Sequence, residues 1–101
     1  MSTKSKRKGS TYELELVKAL DAQGIKADKA WGSNGQALGE TAGVDLVFDK
    51  DGRRWRVQAK RRAKLAEYVK PPEGCDIVMM REDRGETLVV MTFDEFLNLL
   101  Q

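Results

Sequence analysis

The sequence predicts a mixed α/β fold, and two observations support this prediction. Asp51-Gly52 lies between two runs of alternating apolar residues, and this dipeptide is the strongest short-range signal for a two-residue β-hairpin turn. Segments that start at Ser10 and Thr92 each begin with a capping box and then carry apolar residues at helical spacing. Hairpin-paired strands combined with helices that return the chain to the sheet give an α/β sandwich.

The first helix is expected over residues 10–23, because Ser10-Thr11-Tyr12-Glu13 fits a capping box and Gly24 follows its end. Residues 1–9 then form a flexible basic arm. A short strand is expected over residues 25–31, followed by a polar loop over residues 32–43 that is rich in glycine.

The hairpin comes next, and its turn fixes the register. If Asp51-Gly52 forms the loop, Lys50 faces Arg53, and the same register places Asp45 opposite Gln58. Side chains alternate between the two faces of a strand. One face is therefore apolar, and it consists of Val44, Leu46, Phe48, Trp55, Val57 and Ala59.

Beyond the hairpin, a short helix over residues 63–69 is expected to stop before Pro71-Pro72. Strands follow over residues 75–80 and 86–91, and the last helix starts at Thr92 and aligns Phe93, Phe96, Leu97 and Leu100. The predicted order is αβββαββα, in a single domain over residues 10–101.

Composition limits the chemistry. The chain has 101 residues, of which 41% are hydrophobic and 34% charged, with a net charge of only +2. It contains no histidine and a single cysteine, Cys75, which excludes Ser-His-Asp catalysis, histidine-ligated zinc and an internal disulfide. A bound metal must therefore be held by oxygen atoms, which favours Mg²⁺ or Mn²⁺. No apolar segment of signal-peptide or membrane-spanning length is present, so we expect a cytoplasmic protein.

The polar face of the hairpin is the candidate site. The register brings Asp45, Gln58 and Lys60 to that face, and a carboxylate, an amide oxygen and an ammonium group together are typical of a metal-dependent nuclease. Glu13 lies in line with the apolar stripe of the first helix, so it could join Asp45 at a metal. Alternatively, Glu13 is only the capping residue of that helix.

Local charge indicates a nucleic-acid partner better than net charge does. Basic residues cluster at the N-terminus and from the second hairpin strand onward, with no acidic residue inside the second cluster. The alternative is a solvated strand edge and tail. The residues expected to contact DNA are Lys6, Arg7, Lys8, Arg54, Arg56, Arg61, Arg62 and Lys64.

Four segments together resemble a known family. An early helical Glu13, then Asp45, then Gln58-Ala59-Lys60 on a hairpin is similar to the PD-(D/E)xK nuclease pattern. Arg7-Lys8-Gly9-Ser10-x-x-Glu13, followed by Trp31-Gly32-Ser33 and Gly43-Val44-Asp45, resembles archaeal-type Holliday junction resolvases, which also occur in phages. The resemblance covers roughly residues 7–62. It implies a restriction-endonuclease-like mixed β-sheet flanked by helices, and an enzyme of a prokaryotic cell or a phage-infected host.

The resemblance also implies a role for each matching residue. Asp45 would bridge the metal, Gln58 would contribute its side-chain oxygen, and Ala59 its backbone carbonyl. Lys60 would orient the attacking water and steady charge on the phosphate. Glu13 would bind the metal or a metal-bound water, and Ser33 would approach the scissile phosphate. Gln58 stands where glutamate is commoner, so we expect weaker metal binding. Ser33 has a simpler alternative as a polar loop residue.

The function expected from this resemblance is the resolution of four-way (Holliday) DNA junctions. A homodimeric endodeoxyribonuclease would hydrolyse phosphodiesters in two opposed strands, with Mg²⁺ as cofactor and Mn²⁺ as a substitute. Two alternatives remain open. One is a restriction-like or repair nuclease that acts on duplex DNA, and the other is a catalytically silent DNA-binding module.

Overall fold

A computed structural model describes residues 3–30 and 35–101, with the backbone alone over residues 3–10. The chain divides into two compact units, Met1–Arg61 and Arg62–Gln101. The predicted α/β class and the order of elements are confirmed. The strands form two antiparallel sheets, one in each unit.

Helix α1 spans Thr3–Ala22 and is longer at its N-terminus than predicted. The predicted start at Ser10 is wrong, because four of residues 3–9 are lysine or arginine, which are good helix formers, and no proline stops the helix. The flexibility proposed for residues 1–9 stays a prediction. The end of α1 is as expected. Gly24 adopts a positive φ of 77°, and Ile25 N–H donates to the Leu20 carbonyl at 3.0 Å, which closes a Schellman motif.

The first unit contains a three-stranded sheet in the order β1-β2-β3. Its strands are β1 (Lys26–Lys29), β2 (Leu46–Lys50) and β3 (Arg53–Val57). The predicted hairpin register is confirmed from Lys50↔Arg53 to Leu46↔Val57. Asp51 and Gly52 form the turn with φ of 52° and 78°, the left-handed conformation that a type I′ turn requires at both positions.

The core of this unit forms where α1 meets the sheet. Strand β2 is central, so Leu46, Val47 and Phe48 are all buried although neighbouring side chains point to opposite faces. Leu20 of α1 is buried as well. The Phe48 and Trp55 rings stack across the hairpin with centroids 5.7 Å apart, which confirms that they share the apolar face.

The second unit consists of a 3-10 helix, a hairpin and a helix. The 3-10 helix spans Glu67–Val69, β4 (Ile77–Met80) pairs with β5 (Leu88–Met91), and α2 spans Phe93–Leu100. The Thr92 hydroxyl accepts a hydrogen bond from Glu95 N–H at 3.2 Å, so the predicted cap is confirmed.

The helix expected over residues 63–69 is reduced to this 3-10 turn. The segment is too short to nucleate an α-helix unaided, and Pro71 disfavours helical backbone in the residue before it. Among the residues described, none of the helices combines the length and apolarity needed to cross a membrane.

Candidate active site

Asp45 lies immediately before β2, and its backbone is hydrogen-bonded to the chain at the ends of both neighbouring strands. Its N–H donates to the Val57 carbonyl at 2.8 Å, and its carbonyl accepts from Ala30 N–H at 2.8 Å. Its carboxylate oxygen Oδ2 accepts from Ala59 N–H at 2.7 Å. The carboxylate is therefore fixed against the segment that leaves β3, and it retains acceptor sites for a further ligand.

Glu13 is the second carboxylate of the site. It lies in the middle of α1 and is only 5% exposed, so the alternative that it merely caps the helix is wrong. Its Oε2 atom is 3.4 Å from Nζ of Lys29 on β1, and both side chains are nearly buried. Helix α1 thus directs an acidic side chain toward the sheet, as the apolar stripe indicated.

The electrostatics of Glu13 link it to Asp45. Burial raises the pKa of Glu13 above its usual range, the hydrogen bond from Lys29 opposes this rise, and the negative charge of Asp45 adds to it. The charge of Asp45 thus acts on Glu13, whose own negative charge is paired with one lysine. A divalent cation would relieve this excess of negative charge, so the donor set fits a hard metal ion.

The remaining ligands expected at this site lie on the segment after β3. Gln58 and Lys60 are exposed and flank Ala59, the residue bonded to Asp45. Gln58 Nε2 lies 3.9 Å from the position that a Cβ on Gly43 would occupy. Within residues 3–30 and 35–101, no three Cys, His, Asp or Glu side chains gather into a metal site. Two carboxylates, with the neutral oxygens of Gln58 and Ala59, remain the candidate ligands.

Ser33 and Trp31 fall outside the residues that the structure describes, so the role expected of Ser33 stays a prediction. Gly35, the next residue described, starts a short 3-10 helix, Gly35–Leu38. A Cβ on Gly35 would overlap the Thr41 carbonyl oxygen and lie 2.8 Å from that of Val44. This loop is therefore packed against the segment that leads into Asp45.

The basic residues expected to contact DNA have different surroundings. Arg54 and Arg56 of β3 are paired with Glu40, at 2.9 Å and 2.6 Å. Three others are exposed, one at the end of the first unit and two in the second: Arg61, Arg62 and Lys64. Three lie on the first turns of α1, where only the backbone is described: Lys6, Arg7 and Lys8.

Sequence reasoning missed Lys29 and Glu40. Lys29 had a usable signal, since Ile25, Ala27 and Lys29 alternate within the strand predicted over residues 25–31, and the structure buries the first two. An inward lysine in that series requires an acidic partner. Glu40 gave no such signal, because it lies in a loop and its arginine partners are 14 and 16 positions away.

Comparison with known proteins identifies a family for nearly the whole chain. The model of one family, described as archaeal Holliday junction resolvase (Hjc), matches residues 4–100. No curated protein and no solved structure was found to match. The match covers nearly the whole chain, including Glu13, Asp45 and the segment 58–60, and Holliday junction resolvases are nucleases whose substrate is branched DNA. The chain therefore belongs to the archaeal Holliday junction resolvase family.

Proposed function

We propose that the chain resolves four-way DNA junctions as a Mg²⁺-dependent endonuclease, cutting two opposed strands as a homodimer. The observation that carries this proposal is the buried Glu13 beside Asp45, with its pKa raised by burial and by its neighbour's charge. Burying Glu13 near a second carboxylate is costly, and the ion pair with Lys29 supplies only one compensating positive charge.

Glu13 and Asp45 would hold the metal, with the side-chain oxygen of Gln58 and the backbone carbonyl of Ala59 as further ligands. The bound ion would lower the pKa of a water molecule and neutralise charge on the phosphate, and Mn²⁺ would substitute for Mg²⁺. The hydrogen bond from Ala59 N–H to the Asp45 carboxylate, 2.7 Å long, supports this assignment. It holds the carboxylate beside Gln58 and Ala59, the other two proposed ligands.

The other proposed roles belong to side chains that face the substrate. Lys60 orients the attacking water and steadies negative charge on the phosphate as the bond breaks. Ser33 approaches the scissile phosphate. Phosphates further along the DNA are bound by the basic residues, namely Lys6, Arg7, Lys8, Arg54, Arg56, Arg61, Arg62 and Lys64.

The second unit supports a homodimer. The cross-strand partners Met79 and Val89 share one face of its two-stranded sheet and are 64% and 49% exposed, and Leu88 on the other face is 61% exposed. A two-stranded sheet is marginally stable alone, and exposed apolar residues of this kind favour a protein partner. A second copy is the partner that symmetric cutting needs, because two opposed strands require two active sites.

The test of dimerisation is sedimentation of Met79→Glu, which should move the protein toward monomer. The matched control is Leu14→Glu, because Leu14 is an exposed apolar residue of α1 in the first unit. A dimer that persists in Met79→Glu would contradict the proposed interface.

The test of the function compares a labelled four-way junction with a linear duplex of the same sequence, in Mg²⁺ and in chelator. We expect paired nicks in opposed strands of the junction, and only in Mg²⁺. Equal cutting of the duplex would instead indicate a restriction-like or repair nuclease. Binding without cutting under all conditions would indicate a silent DNA-binding module.

A further inference from the structure

Glu40 is held between two arginines of β3. Its Oε2 atom accepts from Arg54 Nη1 at 2.9 Å, and its Oε1 atom accepts from Arg56 Nε at 2.6 Å. Arg54 Nη1 also lies 3.4 Å from the Leu38 carbonyl oxygen. Each oxygen of one carboxylate is thus matched to its own guanidinium group.

The loop delivers this carboxylate in a defined position. Glu40 N–H donates to the Gly35 carbonyl at 2.9 Å, and Gly35 itself is packed against Thr41. The Glu40 side chain is only 12% exposed, whereas those of Arg54 and Arg56 are 39% and 57% exposed. A ligand from solvent can therefore reach the arginines, although Glu40 occupies part of their guanidinium hydrogen-bond donors.

The two arginines can bind a phosphate in place of Glu40. Both guanidinium groups contact Glu40, and Arg54 Nε also lies 4.0 Å from Oδ1 of the exposed Asp49. A contact of that length between exposed groups compensates Arg54 only weakly. The hydrogen bond from Arg56 is the main cause that holds the pKa of Glu40 below its usual range, so this carboxylate is ionised at neutral pH. A phosphodiester presents two unesterified oxygens, as a carboxylate does, and arginine binds both groups through the same donors.

We propose that Arg54 and Arg56 form a binding site for a backbone phosphodiester of DNA, and that Glu40 occupies this site in the free protein. DNA must displace Glu40 to bind there, so Glu40 lowers affinity for DNA and restrains binding outside a substrate that supplies many other contacts. This inference rests on the proposed function, because it requires that the chain bind branched DNA.

The test measures affinity for the four-way junction in chelator, where no cleavage is expected. We expect Glu40→Gln to bind the junction about fivefold more tightly. The gain is modest because the two ion pairs that no longer compete with DNA phosphate are exposed, and exposed ion pairs are weak. The matched control is Glu67→Gln, which removes the same charge from an exposed pair with Lys70. That control should change affinity much less.

The decisive step repeats the comparison in a chain that also carries Arg54→Gln and Arg56→Gln. The gain from Glu40→Gln should disappear there, because nothing is left for Glu40 to occupy. A gain that persists without the arginines would mean a general charge effect and would overturn the proposal. Equal or weaker binding by folded Glu40→Gln would also overturn it and would make Glu40 a purely structural loop residue.

A second variant covers the case in which Glu40→Gln melts below the assay temperature. Glu40→Asp keeps the charge but is one methylene too short to reach both guanidinium groups, so it too should bind the junction more tightly. Unchanged affinity in folded Glu40→Asp would count against the proposal. Failure of the wild-type protein to bind a junction at all would refute the proposed function itself, which separates the two outcomes.

Discussion

Asp45→Asn should separate DNA cleavage from DNA binding. The substitution keeps the size of the side chain and keeps one oxygen that can accept the 2.7 Å hydrogen bond from Ala59 N–H. The fold should therefore survive, with a loss of about 1 kcal/mol as a charged hydrogen bond becomes a neutral one. In a domain of this size, that corresponds to a drop in melting temperature of about 4–8 °C.

The effect on cleavage should be much larger. Asp45 is one of two carboxylates in the proposed metal site. The other proposed ligands, the side-chain oxygen of Gln58 and the backbone carbonyl of Ala59, are neutral. Loss of metal-ion catalysis is worth several kcal/mol, and about 4 kcal/mol corresponds to a thousandfold in rate. Junction affinity in chelator should stay level or rise, because one negative charge that repels phosphate is removed.

The assay combines single-turnover cleavage in Mg²⁺, a gel shift in chelator and a thermal melt. Asp45→Ala is the matched control, because it leaves the Ala59 N–H without its partner and should cost about 1–3 kcal/mol in stability. Cleavage by Asp45→Asn at the wild-type rate would refute the metal site. Lost junction binding together with a melt as low as that of Asp45→Ala would instead make Asp45 a structural residue.

Four further predictions address other residues. Lys60→Ala should abolish cleavage while binding falls only slightly, since one lysine is one phosphate contact among several; cutting near the wild-type rate would remove its proposed role. Gln58→Glu should keep activity and lower the Mg²⁺ concentration needed for half-maximal rate, and a folded but inactive variant would contradict ligation by Gln58. Gly35→Ala should destabilise the fold strongly in a thermal melt, because its Cβ would overlap a backbone carbonyl, whereas Gly43→Ala should be nearly neutral; similar melting temperatures would refute this packing. Because the pKa of Glu40 is lowered, its contribution to stability is complete above its ordinary value of 4.5 and is lost as pH falls through the folded value. Denaturant unfolding of Glu40→Gln should therefore lose less stability on acidification than the wild type, and parallel pH profiles would contradict the ion pairs.

Local signals predicted the hairpin well. Asp51-Gly52 fixed the turn and hence the register from Lys50↔Arg53 to Leu46↔Val57, because a type I′ turn leaves one way to pair the strands. The apolar spacing of α1 likewise indicated that Glu13 faces the sheet. Both signals involve residues that are neighbours along the chain or across one turn.

Features that depend on distant or competing contacts were not predictable in the same way. The capping pattern at Ser10 is a valid local signal, but the helix-forming residues before it extend α1 to Thr3. Beyond the paired ladder, Asp45 N–H bonds to the Val57 carbonyl, and its carboxylate bonds to Ala59. No local pattern of residue types specifies contacts that form where the chain leaves the sheet.

Metal binding to the protein alone tests the central claim, the metal site of Glu13 and Asp45, most directly. Mn²⁺ is suited to this measurement because free Mn²⁺ gives an electron paramagnetic resonance signal that decreases as the ion binds to protein. We predict one saturable Mn²⁺ per chain in the wild type and in Asp28→Asn, which removes an exposed carboxylate from β1. Binding should be lost in Asp45→Asn. Saturable binding that is unchanged in Asp45→Asn, or absent from the wild type, would contradict the claim.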